Sequence, residues 1–489
     1  MGVIIRQSFW NAVISYIGIL LGFLLSILLY PLILTPDQYG LTRVLFSASF
    51  IFTQVALIGF HNIIIRYYPL FNRASPGRHG LLFWALTVPI FGFMLFCLIY
   101  LGFQDLIVEI YGEQSPLFVK YYLWVIPLTL FYLYYEVLNN YLRSLEDTVT
   151  GSFAMEILQR VLTILFLLIY YFDWITFPVF VMLFVGSYFV NPLVIAFRIV
   201  KIGEWKLKPD LNILRRPLLK GMLNYGAFSM LGGLTTVIVW NVDILMLGSL
   251  AGLDQTAVYA IAFYIASVIA IPQRSVEKIV SPVIARFIKE KNWQEVGEIY
   301  RKTSINQLIP GFLIFGIIWI LLDIVYSLMP DIYAAGKGVV LIIGIGKLVE
   351  MATSVNGLIL LNSRHYRVSF YTNIFMVGVA VASNYLLIPQ FGINGAALAS
   401  VLTLVLFNGT KYIYILVKLK LQPFSRFTVW VTVLGVGALI VSELISLTEN
   451  LFINTSIQLA FFTVLFGGSV IYFTISEELN KLIKERLLK

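Results

Sequence analysis

The stretch FRIVKIGEWKLKPDLNILRRPLLK, which runs from Phe197 to Lys220, decides how the 489-residue chain is organised. It is the one long polar interval in the first half of the sequence that is rich in charges of a single sign, and long apolar runs lie on both sides of it. Its acidic residues are Glu204 and Asp210. Its basic residues are Arg198, Lys201, Lys206, Lys208, Arg215, Arg216 and Lys220. The pattern predicts a cytoplasmic linker that joins two similar membrane-embedded halves.

The composition is that of an integral membrane protein. Hydrophobic residues make up 60% of the sequence and charged residues 12%, whereas a soluble globular domain carries about 25% charged residues. The mean hydropathy is +0.89. The formal net charge of +9 is divided among short intervals between apolar runs, as the positive-inside rule places it, and this distribution argues against a nucleic-acid partner.

The apolar runs predict an all-α membrane protein with about fourteen transmembrane helices. A hydrocarbon core about 30 Å thick requires roughly 20 helical residues. The first run follows Arg6 and is too long for a secretory signal, so it is interpreted as a retained first span. The predicted spans are 9–34, 41–70, 81–102, 117–140, 150–172, 175–197, 220–247, 255–284, 305–329, 335–360, 368–388, 393–417, 427–447 and 454–475.

The basic residues predict the orientation. If the N-terminus is cytoplasmic, most of the 34 Lys and Arg residues fall in the inner intervals. These include Arg73 and Arg78, the linker, and Lys481, Lys484, Arg486 and Lys489 in the C-terminal tail. The outer intervals are short and hold acidic residues instead. An even number of spans then places both termini on the cytoplasmic side of a multi-pass membrane protein.

An internal repeat organises the spans. Three matches share an offset of 217 residues, and each falls at the same place in the span pattern. They are Asp37-Gln38 with Asp254-Gln255, Asn139 with Asn356, and Ser152-Phe153 and Ile157 with Ser369-Phe370 and Ile374. Because the offset covers six spans, the two copies have the same orientation and are related by an axis along the membrane normal. The expected arrangement is two pseudo-symmetric six-helix bundles with a cleft between them.

The predicted boundaries follow from this repeat. Residues 1–197 form the N-terminal bundle, 198–220 the basic linker, 221–417 the C-terminal bundle, and 418–489 two additional helices and a cytoplasmic tail.

Ionisable residues inside spans are the candidates for a binding site, because a charge in hydrocarbon usually faces the bundle interior or water. Glu156 and Arg160 share a helix face near mid-depth of the fifth span, as do Lys347 and Glu350 in the tenth. Two interpretations remain open for both pairs. They are local ion pairs that lower the cost of insertion, or groups that line a hydrated cavity.

A second group of candidates lies at the inner ends of spans. His61 and Arg66 occupy this level in the second span, and Arg274 and Lys278 in the eighth. These cationic groups could receive an anionic headgroup through contacts to phosphate, or they could snorkel to the interface. Lys411 is expected to snorkel. Asn139 and Asn356, which correspond in the repeat, complete the cavity candidates.

No signature of soluble catalysis or of a metal or nucleotide site is present. His61, His79 and His365 are scattered, and Cys97 is the single cysteine. The sequence has neither a phosphate-binding GxxxxGK[ST] loop nor a GxSxG elbow. We therefore predict a protein that is not an enzyme and that needs no metal or cofactor.

Three segments carry a resemblance to a known family. They are Tyr30-Pro31 followed by Pro36-Asp37-Gln38-Tyr39-Gly40, SPVIARFIKEKNWQEVGEIYRK from Ser281 to Lys302, and NYLLIPQFGINGAALAS from Asn384 to Ser400. Together with length, span count and repeat, they resemble the polysaccharide-export proteins of the multidrug/oligosaccharidyl-lipid/polysaccharide flippase superfamily. Pro178, which corresponds to Gly395, departs from strict repetition.

The resemblance implies a lipid-linked oligosaccharide flippase of the bacterial inner membrane. It would carry an undecaprenyl-diphosphate-linked glycan to the outer leaflet by alternating access, for assembly of O-antigen, capsule or exopolysaccharide. Its partners would be this lipid, membrane lipids and other glycan-assembly proteins. The energy source is left open between the membrane potential and coupled movement of H⁺ or Na⁺.

Two alternatives are retained. A cation-coupled small-molecule exporter could use the same fold, although the first span has no acidic residue between Phe9 and Leu34. A membrane-embedded glycosyltransferase or polymerase would need a large loop with acidic residues, and the sequence has none.

Overall fold

The computed structural model of the protein describes residues 2–73, 80–208, 216–476 and 480–481. The predicted linker residues 209–215, together with Arg78, His79, Lys484, Arg486 and Lys489, lie outside the described residues. The chain divides into two compact units, Met1–Ala257 and Val258–Lys489. They are described separately.

The first unit is built from helices joined by short turns. In chain order they are α1 (Gly2–Phe23), a π-helical turn (Leu24–Leu29), α2 (Tyr30–Ile33), α3 (Pro36–Ala56), α4 (Phe60–Arg73), α5 (Leu81–Gly102), α6 (Gln104–Gly112), α7 (Pro116–Tyr121), a 3-10 turn (Tyr122–Trp124), α8 (Val125–Ser144), α9 (Val149–Phe153), a second π-helical turn (Ala154–Leu158), α10 (Gln159–Tyr171), α11 (Phe177–Ile202) and α12 (Arg216–Leu250).

Helix α13 (Leu253–Ser267) contains the division between the units. The second unit continues with a 3-10 turn (Val268–Ala270), α14 (Ile271–Lys289), α15 (Trp293–Ser327), a 3-10 turn (Asp331–Gly336), α16 (Lys337–Thr353), α17 (Asn356–Asn362), α18 (Tyr366–Leu419), α19 (Arg426–Glu443) and α20 (Leu451–Tyr472). No strand occurs in the parts of the chain that are described.

Local sequence fixes where several helices begin and end. Thr35 and Gln38 form a reciprocal capping box at the start of α3, where Pro36 supplies a preset φ at the first helical position. Gly203 ends α11 in the left-handed conformation, with φ 81°. These signals place helix ends close to the predicted span boundaries.

The predicted all-α membrane fold is confirmed. Twelve described helices are long and apolar enough to cross a membrane, and the bent pair Pro36–Ala56 and Phe60–Phe71 makes a thirteenth. The segment counted as α18 contains two helices that meet at a kink at Gly392. It therefore covers the two predicted spans 368–388 and 393–417, and counting it twice accounts for the predicted fourteen.

Each unit has its own apolar interior. In the first unit, α8 packs against α3 and α11, and α12 packs against α3. In the second unit, α15, α16, α19 and α20 share a core that includes Phe312, Met351, Phe462 and Phe466. The predicted bundle boundaries were drawn from the sequence repeat, whereas the two units are defined by compactness. Helix α12 belongs to the first compact unit. The bundle boundaries therefore stay a prediction.

Candidate functional site

The π-helical turn Ala154–Leu158 carries a charged pair in the first unit. Glu156 lies in this turn, and Arg160 follows one turn later with its Nη2 atom 2.8 Å from Glu156 Oε2. Arg160 also donates from Nη1 to the backbone carbonyl of Gly18 in α1. Extra residues in a helical turn are frequent at functional sites because they redirect the side chains. The predicted pair is therefore a tertiary contact as well as a local one.

Gly18 makes room for this pair. A Cβ atom at Gly18 would stand 2.7 Å from Arg160 Nη1 and 2.9 Å from Glu156 Oε2, closer than real Cβ contacts. A side chain at this position would require the guanidinium and the carboxylate to shift.

Arg43 adds a second cation to the interior of the first unit. Its guanidinium lies 5.0 Å from the ring centroid of Tyr30 and 4.9 Å from that of Tyr39, and the two rings stack at 4.6 Å. Arg43 and Arg160 both interact electrostatically with the hydroxyl of Tyr188. The two cations therefore share Tyr188 as an electrostatic partner.

Glu136 brings a second carboxylate to the same unit. It interacts electrostatically with Tyr132, and it accepts from Asn140 Nδ2 at 3.2 Å. The ring of Tyr132 contacts Phe50 at a centroid distance of 5.3 Å. We call Arg43, Tyr132, Glu136, Glu156, Arg160 and Tyr188 the first cluster.

The second unit holds a comparable cluster. Lys347 Nζ lies 2.9 Å from Glu350 Oε2, and only 4% of the Lys347 side chain is exposed. Lys411 interacts electrostatically with Glu350 and Glu277, and Gln273 donates to Glu277 at 3.0 Å. We call Gln273, Glu277, Lys347, Glu350 and Lys411 the second cluster.

We expected Lys411 to snorkel to the membrane interface, but the structure buries it. Its exposed fraction is 6%, and its ammonium lies 3.4 Å from the ring centroid of Phe407. An ammonium stays buried where an aromatic face and carboxylates replace water. The sequence did not reveal these partners because Glu277 and Glu350 lie on other helices.

The remaining predicted candidates belong to neither cluster as defined, although Arg274 and Lys278 adjoin Gln273 and Glu277 along α14. Exposed Arg66 places its guanidinium 4.2 Å from the Tyr225 ring centroid. His61 is half-buried, with its Nε2 atom 2.8 Å from the side-chain nitrogen of Asn62. Arg274 and Lys278 are exposed on α14.

The two repeat-related asparagines pack against neighbouring helices. A Cβ at Gly151 would collide with Asn139 Oδ1, so this amide packs tightly on α9. Buried Asn356 donates to Asn408 Oδ1 at 3.1 Å. Asn191, which precedes Asn408 by the repeat offset, donates to Gln159 Oε1 at 2.8 Å. In the described part of the chain, no hydrogen bond joins Asn139 or Asn356 to a charged side chain.

A further ion pair joins Asp147, in the turn between α8 and α9, to Arg198 near the end of α11. Arg198 Nε is 2.9 Å from Asp147 Oδ2, and Thr150 also donates to this carboxylate. Burial raises the pKa of Asp147, but the hydrogen bonds from Arg198 and Thr150 outweigh it and leave the pKa below its ordinary value. The first residue of the predicted basic linker thus has a structural role.

The chemistry of the two clusters suits a polar ligand with an anionic part. No group of three metal-binding side chains occurs among the residues searched, which are the described ones. Arginine and lysine retain N–H donors beyond those used in their ion pairs and can donate to phosphate. Carboxylates accept from hydroxyl groups, and aromatic rings offer apolar faces. Each cluster contains two cations and two carboxylates.

Comparison with known families gives two matches. Residues 4–288 match the family described as Polysaccharide biosynthesis protein. Residues 229–386 match the family described as MatE. No curated protein matches the sequence significantly.

Solved structures share the fold at low identity. "Lipid II flippase MurJ, inward closed conformation" has a TM-score of 0.70 and 14% identity, over 95% of this chain and 98% of that chain. A multidrug resistance MATE family transporter of the MOP superfamily, inward-facing, has a TM-score of 0.65 and 16% identity, over 80% and 92%. A Vibrio cholerae MATE transporter has a TM-score of 0.54 and 14% identity, over 86% and 98%.

Proposed function

Because this chain belongs to the polysaccharide biosynthesis protein family, we propose that it is a flippase for an undecaprenyl-diphosphate-linked oligosaccharide. It moves this lipid from the cytoplasmic to the outer leaflet by alternating access, for assembly of O-antigen, capsule or exopolysaccharide. The family resemblance found in the sequence is confirmed by this match. The structure with the highest TM-score reported above is a lipid II flippase, which supports a lipid-linked substrate.

The observation that carries the proposal is the first cluster. Two arginines, Arg43 and Arg160, lie among tyrosines inside the first unit. Arginine is the side chain best suited to diphosphate, because its planar guanidinium forms paired hydrogen bonds to phosphate oxygens. The carboxylates and aromatic faces beside it match sugar hydroxyl groups and sugar rings.

The cations are costly to place in a membrane, which supports a functional role. An arginine at mid-membrane costs about 2.5–3.5 kcal/mol on insertion scales. Pairing Arg160 with Glu156 reduces this cost. We propose that the ion pair opens when the diphosphate replaces Glu156 as the partner of Arg160.

We further propose a location and an energy source for this protein. The protein lies in the bacterial inner membrane with both termini in the cytoplasm, and it transports its substrate without chemical change. Membrane potential or a coupled H⁺ or Na⁺ drives the cycle. The carboxylates of the second cluster, Glu277 and Glu350, are the groups we assign to such an ion.

A cation-coupled exporter of small molecules is the second candidate. The MatE match over residues 229–386 and the half-buried carboxylate Glu136 favour it. An organic cation would pair with Glu136 or Glu156 rather than with an arginine.

A deletion strain separates these functions. Loss of the gene is expected to abolish the surface glycan while the complete lipid-linked oligosaccharide accumulates facing the cytoplasm. Restored surface glycan on complementation supports the flippase. An oligosaccharide of altered mass would indicate an enzyme, and unchanged glycan with increased sensitivity to cationic drugs would indicate the exporter.

A further inference from the structure

An apolar groove lies in the second unit between α15, α16 and α19. Its volume is about 470 Å³, within the roughly 300–1,000 Å³ typical of ligand pockets. It extends from Leu308 and Ala352 at one end to Trp319 and Glu443 at the other. Neither charged cluster contributes a side chain to its lining.

The groove has the length of one membrane leaflet. Leu308 and Trp319 are eleven residues apart on α15, which corresponds to about 16 Å at the helical rise of ~1.5 Å per residue. The hydrocarbon core of a bilayer is about 30 Å thick, so the groove covers roughly half of it.

The wall of the groove is apolar and open to the surroundings. Ile345 and Ile440 line it with 48% and 56% of their surface exposed. The hydroxyl of Thr432 donates to the Thr428 carbonyl at 2.9 Å, so this polar side chain is satisfied within its own helix. An extended hydrocarbon chain is the ligand that such a wall accommodates.

Charged side chains gather at one end of the groove. Trp319 donates from Nε1 to Glu443. Lys337 Nζ lies 5.4 Å from the Trp319 ring centroid and 2.7 Å from Asp323 Oδ1. Two carboxylates and one ammonium therefore surround the mouth, and they leave it with an excess of negative charge.

We propose that this groove binds a membrane phospholipid with an ethanolamine headgroup. One acyl chain occupies the apolar groove, the headgroup ammonium donates to Glu443 and Asp323, and the phosphate faces Lys337. The site is separate from the transported lipid in the proposed function. A glycerol phospholipid without an amine, or a polyprenyl diphosphate, would bring a net negative headgroup to a mouth that already holds two carboxylates.

Lipid titration followed by native mass spectrometry tests the proposal. The purified full-length protein is titrated with phosphatidylethanolamine, phosphatidylcholine and phosphatidylglycerol that carry identical acyl chains. We expect one site with at least a fivefold preference for phosphatidylethanolamine over phosphatidylglycerol. Phosphatidylcholine should bind less tightly than phosphatidylethanolamine, because its headgroup has no N–H donor.

Two kinds of variant distinguish recognition of the headgroup from binding of the acyl chain. Glu443→Gln is expected to reduce the ethanolamine preference to less than twofold while chain binding persists. Val436→Trp fills the groove and should remove the tight lipid, whereas Val433→Trp, on the same helix but outside the groove with 56% exposure, should retain it. Thermal unfolding of each variant confirms that it is folded.

Equal affinity for the three headgroups would overturn the proposal, since ordinary lipid contact predicts it. Equal lipid binding by the two tryptophan variants would also overturn it. Tighter binding of an undecaprenyl diphosphate than of phosphatidylethanolamine would assign the groove to the transported substrate instead.

Discussion

Gly18 controls the closest approach between α1 and the charged pair of the first cluster. Arg160 donates to the Gly18 carbonyl, and the space that a Cβ would need is taken by Arg160 and Glu156. A single methyl group here therefore tests the geometry of the pair without changing its charges.

Gly18→Ala is expected to lower transport about tenfold, equivalent to ~1.4 kcal/mol, because the methyl group displaces the guanidinium. Surface glycan and protein abundance in the membrane are the measurements. Gly186→Ala is the matched control, because a Cβ at Gly186 has nothing within 4 Å. Equal transport by both variants would contradict the assigned geometry.

Two kinds of variant distinguish a role of Arg160 in binding the diphosphate from a role only in pairing with Glu156. Arg160→Ala and Lys347→Ala are expected to abolish surface glycan while the proteins remain in the membrane. The double variant Glu156→Gln, Arg160→Gln removes both charges and with them the cost of an unpaired ion. If the pair only assists insertion, the double variant regains transport. The diphosphate assignment predicts that it stays inactive, and normal glycan in both alanine variants would refute it.

Asp147 gives a pH-dependent test of structure rather than transport. Its pKa is lowered in the folded state by Arg198 and Thr150, so the folded protein binds fewer protons than the unfolded chain. Its contribution to stability is present above the ordinary aspartate pKa of about 3.9 and is lost as the pH falls through the lowered value.

Asp147→Asn is accordingly expected to reduce stability by about 1 kcal/mol at pH 7, since the partner Arg198 is partly exposed. Thermal unfolding in detergent should show this difference at pH 7, and the difference should shrink as the pH falls below the ordinary aspartate pKa and through the lowered one. Glu204→Gln is a control, because Glu204 and Lys206 are 3.9 Å apart and form a weaker pair. A difference that is independent of pH would contradict the account.

Helix α18 shows how one glycine divides an apolar stretch into two spans. Gly392 has φ 55° and ψ −131°, which no L-residue adopts without strain, although a Cβ there would have nothing within 4 Å. The bend is therefore imposed by the backbone, and the sequence predicted it as the break between spans 368–388 and 393–417.

Gly392→Ala is expected to destabilise the protein by about 1–3 kcal/mol, the cost of such a backbone conformation. Gly409→Ala, in a helical part of α18 that is equally open, should be neutral or stabilising by roughly 0.5–1 kcal/mol. Thermal unfolding of the two variants provides the comparison. A stable Gly392→Ala protein would show that the kink is not required.

Sequence predicts those features that depend on neighbours along the chain. Apolar length located the spans, and spacings of three or four residues located the pairs Glu156–Arg160 and Lys347–Glu350. The tyrosine partners of Arg43 and the carboxylate partners of Lys411 are set by packing between helices, so periodicity could not reveal them.

At the scale of the whole molecule, the orientation remains a prediction with a direct test. In a Cys97→Ser background, single cysteines at Lys208 and Asp105 report the two sides, and both positions are exposed. A membrane-impermeant maleimide applied from outside the inner membrane is expected to label the cysteine at 105 and not the one at 208. The reverse pattern would place the termini outside.

Reconstitution into vesicles measures whether the chain carries a lipid-linked glycan across a bilayer without changing it. Purified protein is placed in vesicles that contain a fluorescent undecaprenyl-diphosphate oligosaccharide, and a glycosidase is added outside. We expect that the inner-leaflet pool becomes accessible in wild-type vesicles, that the glycan is chemically intact before digestion, and that Arg160→Ala vesicles behave as protein-free ones. Accessibility equal to that of protein-free vesicles for the wild-type protein, or a glycan altered before digestion, would contradict it.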